Sequence, residues 1–375
     1  MKKDWDIKKL EDVCEFLDSR RKPITANKRT KGPIPYYGAT GILDYVADFL
    51  FDEELILLGE DGAKWGLGDK SAFRISGKTW VNNHAHVLKP KNMNYDWIIY
   101  YLNYSDLMKF VKGATVPKLN QENAKNISIP VPPLEEQKRI VKILDEKFAQ
   151  LESLKATAQT NLQNAKDLFQ SQLAKAFSNT TWEKKRLGDC TSIIGDGLHG
   201  TPKYNDDGAY YFINGNNLDK TVIEIKPETK RVDESQFQKY KVELNDKTVF
   251  VSINGTLGKT AFYNDEPVIL GKSACYANVK DCLNKYFLRY FYNSDEFLEY
   301  AHREATGATI KNLGLKAMRD LRIPLPPLPE QKRIVEELDT LSEKVRQLQE
   351  IYTKQIANCA ELKQSLLQKA FEGEL

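Results

Sequence analysis

The chain has 375 residues, with 55 Lys and Arg against 52 Asp and Glu and a formal net charge of +3. That length suggests two to three domains, and the near-neutral balance excludes a uniformly basic coat, so any nucleic-acid contact must come from local patches. No apolar run reaches the ~18 residues of a membrane span, and the five cysteines are scattered with no C-x-x-C pair, which points to reduced thiols, a cytoplasmic chain and no structural zinc.

Residues 1–130 read as a first globule. The opening MKKDWDIKKL lacks a signal-peptide core and carries a short amphipathic segment from Trp5. From Ser19 to Leu43 there are six basic residues (Arg20, Arg21, Lys22, Lys28, Arg29, Lys31) and no acid, in a Gly- and Pro-punctuated stretch that predicts loop and turn. Leu55–Leu58 reads as a buried strand, followed by a tight loop that holds Lys64 and Trp65. Trp80–Leu88 reads as one further strand, and Asp96–Phe110 as a helix.

Residues 131–178 read as one long helix. Pro132 and Pro133 suit a helix start, Glu135 and Glu136 complement the positive end of its dipole, and no Pro or Gly interrupts it through Phe177. Apolar residues recur at steps of three and four, from Ile140, Leu144 and Phe148 through Leu154 to Leu173. Residues 179–323 form a second globule that repeats the plan loosely, and residues 324–375 a second helix with its own stripe, including Ile334, Leu338, Val345 and Leu362. One stripe per helix is the pattern of a coiled-coil partner, and each rod would be on the order of 65 Å long. A rod of that length finds its natural partner in the other copy.

The two helices are a duplication. Residues 128–177 and 322–371 align without a gap at an offset of 194, with 22 identities in 50 positions. Gly113–Leu119 and Gly307–Leu313 match at the same offset, while the globule interiors share little. The P-P-L-x-E-Q-K-R-I-V segment, present twice after a strand-like stretch, resembles the specificity subunits of type I restriction–modification systems. That resemblance covers the whole chain. It implies an α+β molecule in which two α/β-type target-recognition domains alternate with two long helices. Four residues separate Phe177 from Trp182, four follow Phe371 and four precede Trp5, which predicts that the helices pair as an antiparallel coiled coil with pseudo-two-fold symmetry and close termini. The resemblance also implies a bipartite double-stranded DNA target with an unread spacer, two methyltransferase (modification) subunits and restriction subunits as partners, and no membrane. The repeated Glu136, Gln137, Lys138, Arg139 and Glu330, Gln331, Lys332, Arg333 would be where the modification subunits dock.

No family motif assigns base contacts, so candidates rest on side-chain chemistry. Arg20–Lys31 has the charge to follow phosphates, Lys64 with Trp65 could pair a phosphate with a groove wall, and Asn82, Asn83, His84 and His86 carry groups that read base edges. In the second globule the candidates are His199, Thr201, Lys203 and Tyr204 on a Gly-rich loop, with Asn214, Asn216, Asn254, Thr256, Lys259 and Lys272 on further turns.

Catalytic signatures are missing. Gly255–Thr260 ends in G-K-T but has two residues between its glycines where a phosphate-binding loop needs four. His84 and His86 would share a strand face without a carboxylate at ligand spacing, Glu183-Lys184-Lys185 is an isolated nuclease-like fragment, and neither Pro pair suits a DNA methyltransferase. The expectation is a non-catalytic subunit with no cofactor. The alternatives are a specificity subunit serving a fused methyltransferase–nuclease, and a coiled-coil scaffold without DNA specificity.

Overall fold

The computed structural model describes residues 5–113, 115–179, 181–219 and 221–375. The chain falls into two units, one of residues 1–160 and 352–375, the other of residues 161–351, so each long helix contributes to both.

In the first unit a four-stranded antiparallel sheet runs in the order Cys14–Phe16, Ala85–Pro90, Leu55–Gly59, Ala72–Ile75. Leu55–Gly59 is buried along its whole length, as its unbroken apolar sequence requires of a central strand covered on both faces. A second sheet orders Gly41–Val46, Ile34–Gly38, Lys78–Val81 and Phe51–Asp52, with one parallel pair, Tyr36 beside Trp80. Two sequence expectations change here. The Gly- and Pro-rich stretch is not all loop, because Ile34–Gly38 and Gly41–Val46 pair as a hairpin. Trp80–Leu88 is not one strand but two, Lys78–Val81 and Ala85–Pro90, in different sheets. The turn between them puts His84 outside while His86 points into the core.

The second unit repeats the frame. Its four-stranded sheet orders Thr191–Gly195, Ala274–Val279, Thr248–Ser252 and Thr260–Phe262, and its second sheet again has one parallel pair, Tyr211 beside Val268. In each unit the opening strand pairs antiparallel with the strand that leads into a long helix: Asp6–Lys9 with Ser128–Val131, and Lys184–Arg186 with Arg322–Pro324.

The long helices span Leu134–Phe177 and Leu328–Glu372. In the first unit the start of one packs with the end of the other, since Ile140, Leu144 and Phe148 share a core with Leu367, Ala370 and Phe371. In the second unit Leu173 and Phe177 share a core with Ile334, Val335 and Leu338. Start meets end both times, the antiparallel pairing expected. Phe371 completes the first domain's core against Trp97 (centroids 4.9 Å) and Tyr101 (5.1 Å), and Phe177, its counterpart in the duplication, does so in the second against Phe287 (5.1 Å) and Phe291 (5.4 Å). Trp5 lies 5.7 Å from Trp97, so both ends of the described chain meet one indole. Leu154 and Leu362, expected on the stripes, are exposed.

Candidate nucleic-acid interface

In the first globule the central strand ends at Gly59, and the following Glu60 and Asp61 face the His84 turn. Beneath lies a buried ionic group. His86 has Nδ1 2.6 Å from Asp18 and Nε2 2.8 Å from the Leu119 carbonyl oxygen. Arg21 reaches Asp18 at 3.2 Å and Glu60 at 2.5 Å, and Lys118 reaches Glu60 at 2.9 Å. Burial alone would raise the Asp18 carboxyl, but the His86 hydrogen bond and charge, the Val87 N–H and Arg21 together hold it below 3.8. Asp18, Glu60 and His86 bring one metal-ligand-type atom each within 4.8 Å of one another. Arg21 and Lys118 already balance both carboxylates, so the group works as a clamp between strands and loops.

Four anticipated DNA contacts are therefore corrected, because the fold itself engages them. His86 and Arg21 belong to the clamp. Trp65 is buried and donates its indole N–H to the Gly59 carbonyl (2.9 Å). Asn82 is buried and its carbonyl oxygen accepts the His84 N–H (2.8 Å). Two further arginines are tied down more loosely: Arg20 pairs with Glu53 at 3.1 Å, and Arg29 pairs with Asp44 at 2.9 Å and lies over the Tyr36 ring. Lys22, Lys28, Lys31, Lys64, Asn83 and His84 are exposed, and His84 is held by Asp61.

The second globule gathers its candidates better. A cleft of about 370 Å³ is lined by Tyr204, Asn214, Asn216 and Lys259, together with Lys226 and Lys230, which sequence reasoning missed. The run Lys226–Arg231, with three cations in six residues, was the signal available. A second cleft of about 470 Å³ joins His199, Asn254 and Lys272 with Asn312. His199 is exposed and sits 2.7 Å from Asp196. Thr201 and Lys203 are exposed without lining either cleft, and Thr256 offers its carbonyl to the Ser252 hydroxyl (2.6 Å).

At the helix starts the repeated E-Q-K-R-I-V splits by role. Gln137 and Gln331 are 1% and 0% exposed, and Ile140, Val141, Ile334 and Val335 are buried too. Among the docking candidates this removes Gln137 and Gln331 from the exposed surface, while Ile140 and Ile334 are buried as their place on the apolar stripes implies. The outward residues are Lys138, Arg139, Lys332 and Arg333, with Arg139 paired to Glu136 (2.7 Å) and Arg333 to Glu330 (2.7 Å). Among the described residues no helix is long and apolar enough to cross a membrane.

The profile of the type I restriction modification DNA specificity domain matches residues 2–163 and 179–356. A Haemophilus influenzae chain provisionally named a type I restriction enzyme specificity subunit is 30% identical over 88% of this chain and 86% of its own length. The StySPI specificity subunit of Salmonella potsdam is 25% identical, covering 86% of this chain and 75% of itself. In fold, a chain solved in a study of complex assembly and conformational transition of the type I R-M system superposes with a TM-score of 0.77 at 20% identity, covering 99% of this chain and 98% of that one. With two matched domains, a duplicated helix and relatives spanning nearly its whole length, the chain belongs to the family of type I restriction enzyme specificity subunits.

Proposed function

We propose that this chain is the non-catalytic DNA-reading subunit of a type I restriction–modification complex. The first globule (1–130) reads one half of a bipartite duplex target and the second (179–323) reads the other. The helices at 131–178 and 324–375 set the unread spacer and carry two modification subunits, through which restriction subunits join. The observation that carries this reading is one duplicated frame with different surfaces on it: exposed Lys22, Lys28, Lys31 and Lys64 on the first copy, and a cleft with Lys226, Lys230, Lys259, Asn214 and Asn216 on the second. Amides and cations of this kind supply base-edge and phosphate contacts, and unlike surfaces on like frames suit two unlike half-sites.

Modified-base mapping of DNA from cells that express the chain with its methyltransferase tests the reading. The expected result is a split motif, one half of which changes when residues 1–130 are exchanged for those of a relative. Methylation indifferent to the chain would overturn it.

A further inference from the structure

Each globule carries the same small loop just before the short helix and strand that lead to its long helix. In the first, Lys112 and Lys118 exchange backbone hydrogen bonds of 2.9 and 2.8 Å; in the second, Thr306 and Asn312 exchange two of 2.9 Å. Gly113 (φ +98°) and Gly307 (φ +94°) turn the chain, and a Cβ there would meet the carbonyl oxygen of Val116 at 2.4 Å or of Ile310 at 2.2 Å. Leu119 and Leu313 anchor the loops from below, each fully buried and each donating its N–H at 2.8 Å, to Glu60 and Ile253 respectively. At the tips stand Val116, 67% exposed, and Ile310, 60% exposed. Ala114, between Gly113 and the first tip, lies outside the described residues.

A single exposed apolar side chain needs no explanation. The same one at the same place in both copies does, because the surrounding globules have kept so little else in common. A feature repeated in two domains that face different sequences cannot be what tells those sequences apart; it must meet something the two half-sites share. The charge says what. No Asp or Glu occurs from Leu107 to Gln121 or from Ala305 to Arg319, while Lys109, Lys112 and Lys118 lie in the first stretch and Lys311, Lys316 and Arg319 in the second. Lys118 is engaged by Glu60 and Asp61, which leaves Lys109 and Lys112 in the first stretch and Lys311 and Lys316 in the second as the cations that accompany each apolar tip. An apolar tip accompanied by cations complements the groove and phosphates of a duplex.

We propose that Val116 and Ile310 are a matched pair of sequence-independent DNA contacts, each pressing on the sugar face of a groove while Lys112 and Lys311 meet phosphates. This rests on the DNA-reading function proposed above.

The test uses the assembled complex with modification subunits, a duplex containing the mapped target and a duplex of unrelated sequence. Val116→Ser with Ile310→Ser should weaken binding of both duplexes by about 3- to 10-fold in fluorescence anisotropy, as loss of part of two apolar contacts implies. The methylated motif and the subunit stoichiometry should not change, and the exchange Val116→Ile with Ile310→Val should bind like the parent. Unchanged affinity of the serine variant overturns the proposal, as does loss of modification subunits, which would make the tips a protein-docking surface. A changed motif also overturns it, because the tips would then read bases. A parent complex that binds neither duplex removes the DNA-reading function itself, an outcome separate from a parent that binds and a variant that binds equally.

Discussion

Gln137 fastens the first long helix to its globule through Asn94: its side-chain oxygen accepts the Asn94 backbone N–H at 2.9 Å while its amide donates to the Pro132 carbonyl at 2.8 Å. Gln331 repeats the arrangement on Asn284 (2.8 Å) and Pro326 (2.8 Å), and adds the Cys282 carbonyl (3.0 Å). A buried amide with these partners cannot be replaced without orphaning them. Gln137→Leu and Gln331→Leu should each cost about 1–3 kcal/mol, the penalty for unpaired buried polar groups. Urea unfolding of the two variants checks this; parent-like midpoints for both would mean that the amides are not the fastening.

The long helices, their duplication and the frame they join were legible because each rests on local signals: periodicity, a Pro-Pro start, an ungapped offset. Burial of single polar residues was not, because distant partners decide it. Asp18 and His86 are 68 residues apart and meet only after the strands between them pair. Gln137 looks like a surface residue until Asn94 lies over it. Trp65 looked like a groove contact because the carbonyl its indole finds, on Gly59, is set by a tight turn that periodicity does not encode. The basic segment misled for the same reason: Arg21 reads as phosphate-binding charge until Glu60 arrives from 39 residues away.

Asp18 gives the fold an acid limit. Its carboxyl lies lower in the folded chain than its ordinary 3.8, so it contributes stability above that value which is lost as pH falls through the lower folded one. The urea midpoint of the parent should therefore drop below about pH 4. Asp18→Asn should be less stable at pH 7, having removed the counter-charge of Arg21 and the carboxylate that His86 hydrogen-bonds, and its acid limb should be shallower. Parallel acid limbs in parent and variant would exclude Asp18 as a source of that dependence.

Thiol labelling should sort the cysteines by depth. All five are free. Burial pushes the Cys14 thiol up to about 12, and burial with Cys282 alongside pushes Cys190 up to about 11; burial also raises Cys275. Thiolate, the reactive form, is scarce at all three. Ellman's reagent on the native protein should react with exposed Cys282 first and half-buried Cys359 more slowly, and reach the other three only in denaturant. Five fast thiols in native buffer would mean that the sheets open readily.

The helices predict a change of spacer. Seven residues added after Ala158 and seven after Tyr352 keep both apolar stripes in phase. If the helices are the ruler, the complex should methylate the same two half-sites with a longer unread segment between them. An unchanged spacer in modified-base mapping would remove them from that role.

Gly113 and Gly307 are the positions where the smallest change should disturb the repeated loop. Each holds a positive φ that an L side chain resists, and each has a backbone carbonyl where a Cβ would go, closer than real Cβ contacts come. Gly113→Ala must therefore either strain the loop by about 1–3 kcal/mol or open it by releasing the paired hydrogen bonds of Lys112 and Lys118. Because Leu119 is anchored separately, through Glu60, the disturbance should be confined to the loop. Hydrogen exchange separates the outcomes. Faster exchange at the Lys112 and Lys118 amides, with the Leu55–Gly59 strand still protected, is the expected result for Gly113→Ala, and Gly307→Ala should do the same at Thr306 and Asn312. Parent-like protection at those amides in both variants would mean that the loop tolerates a side chain and that its glycines do not set its shape.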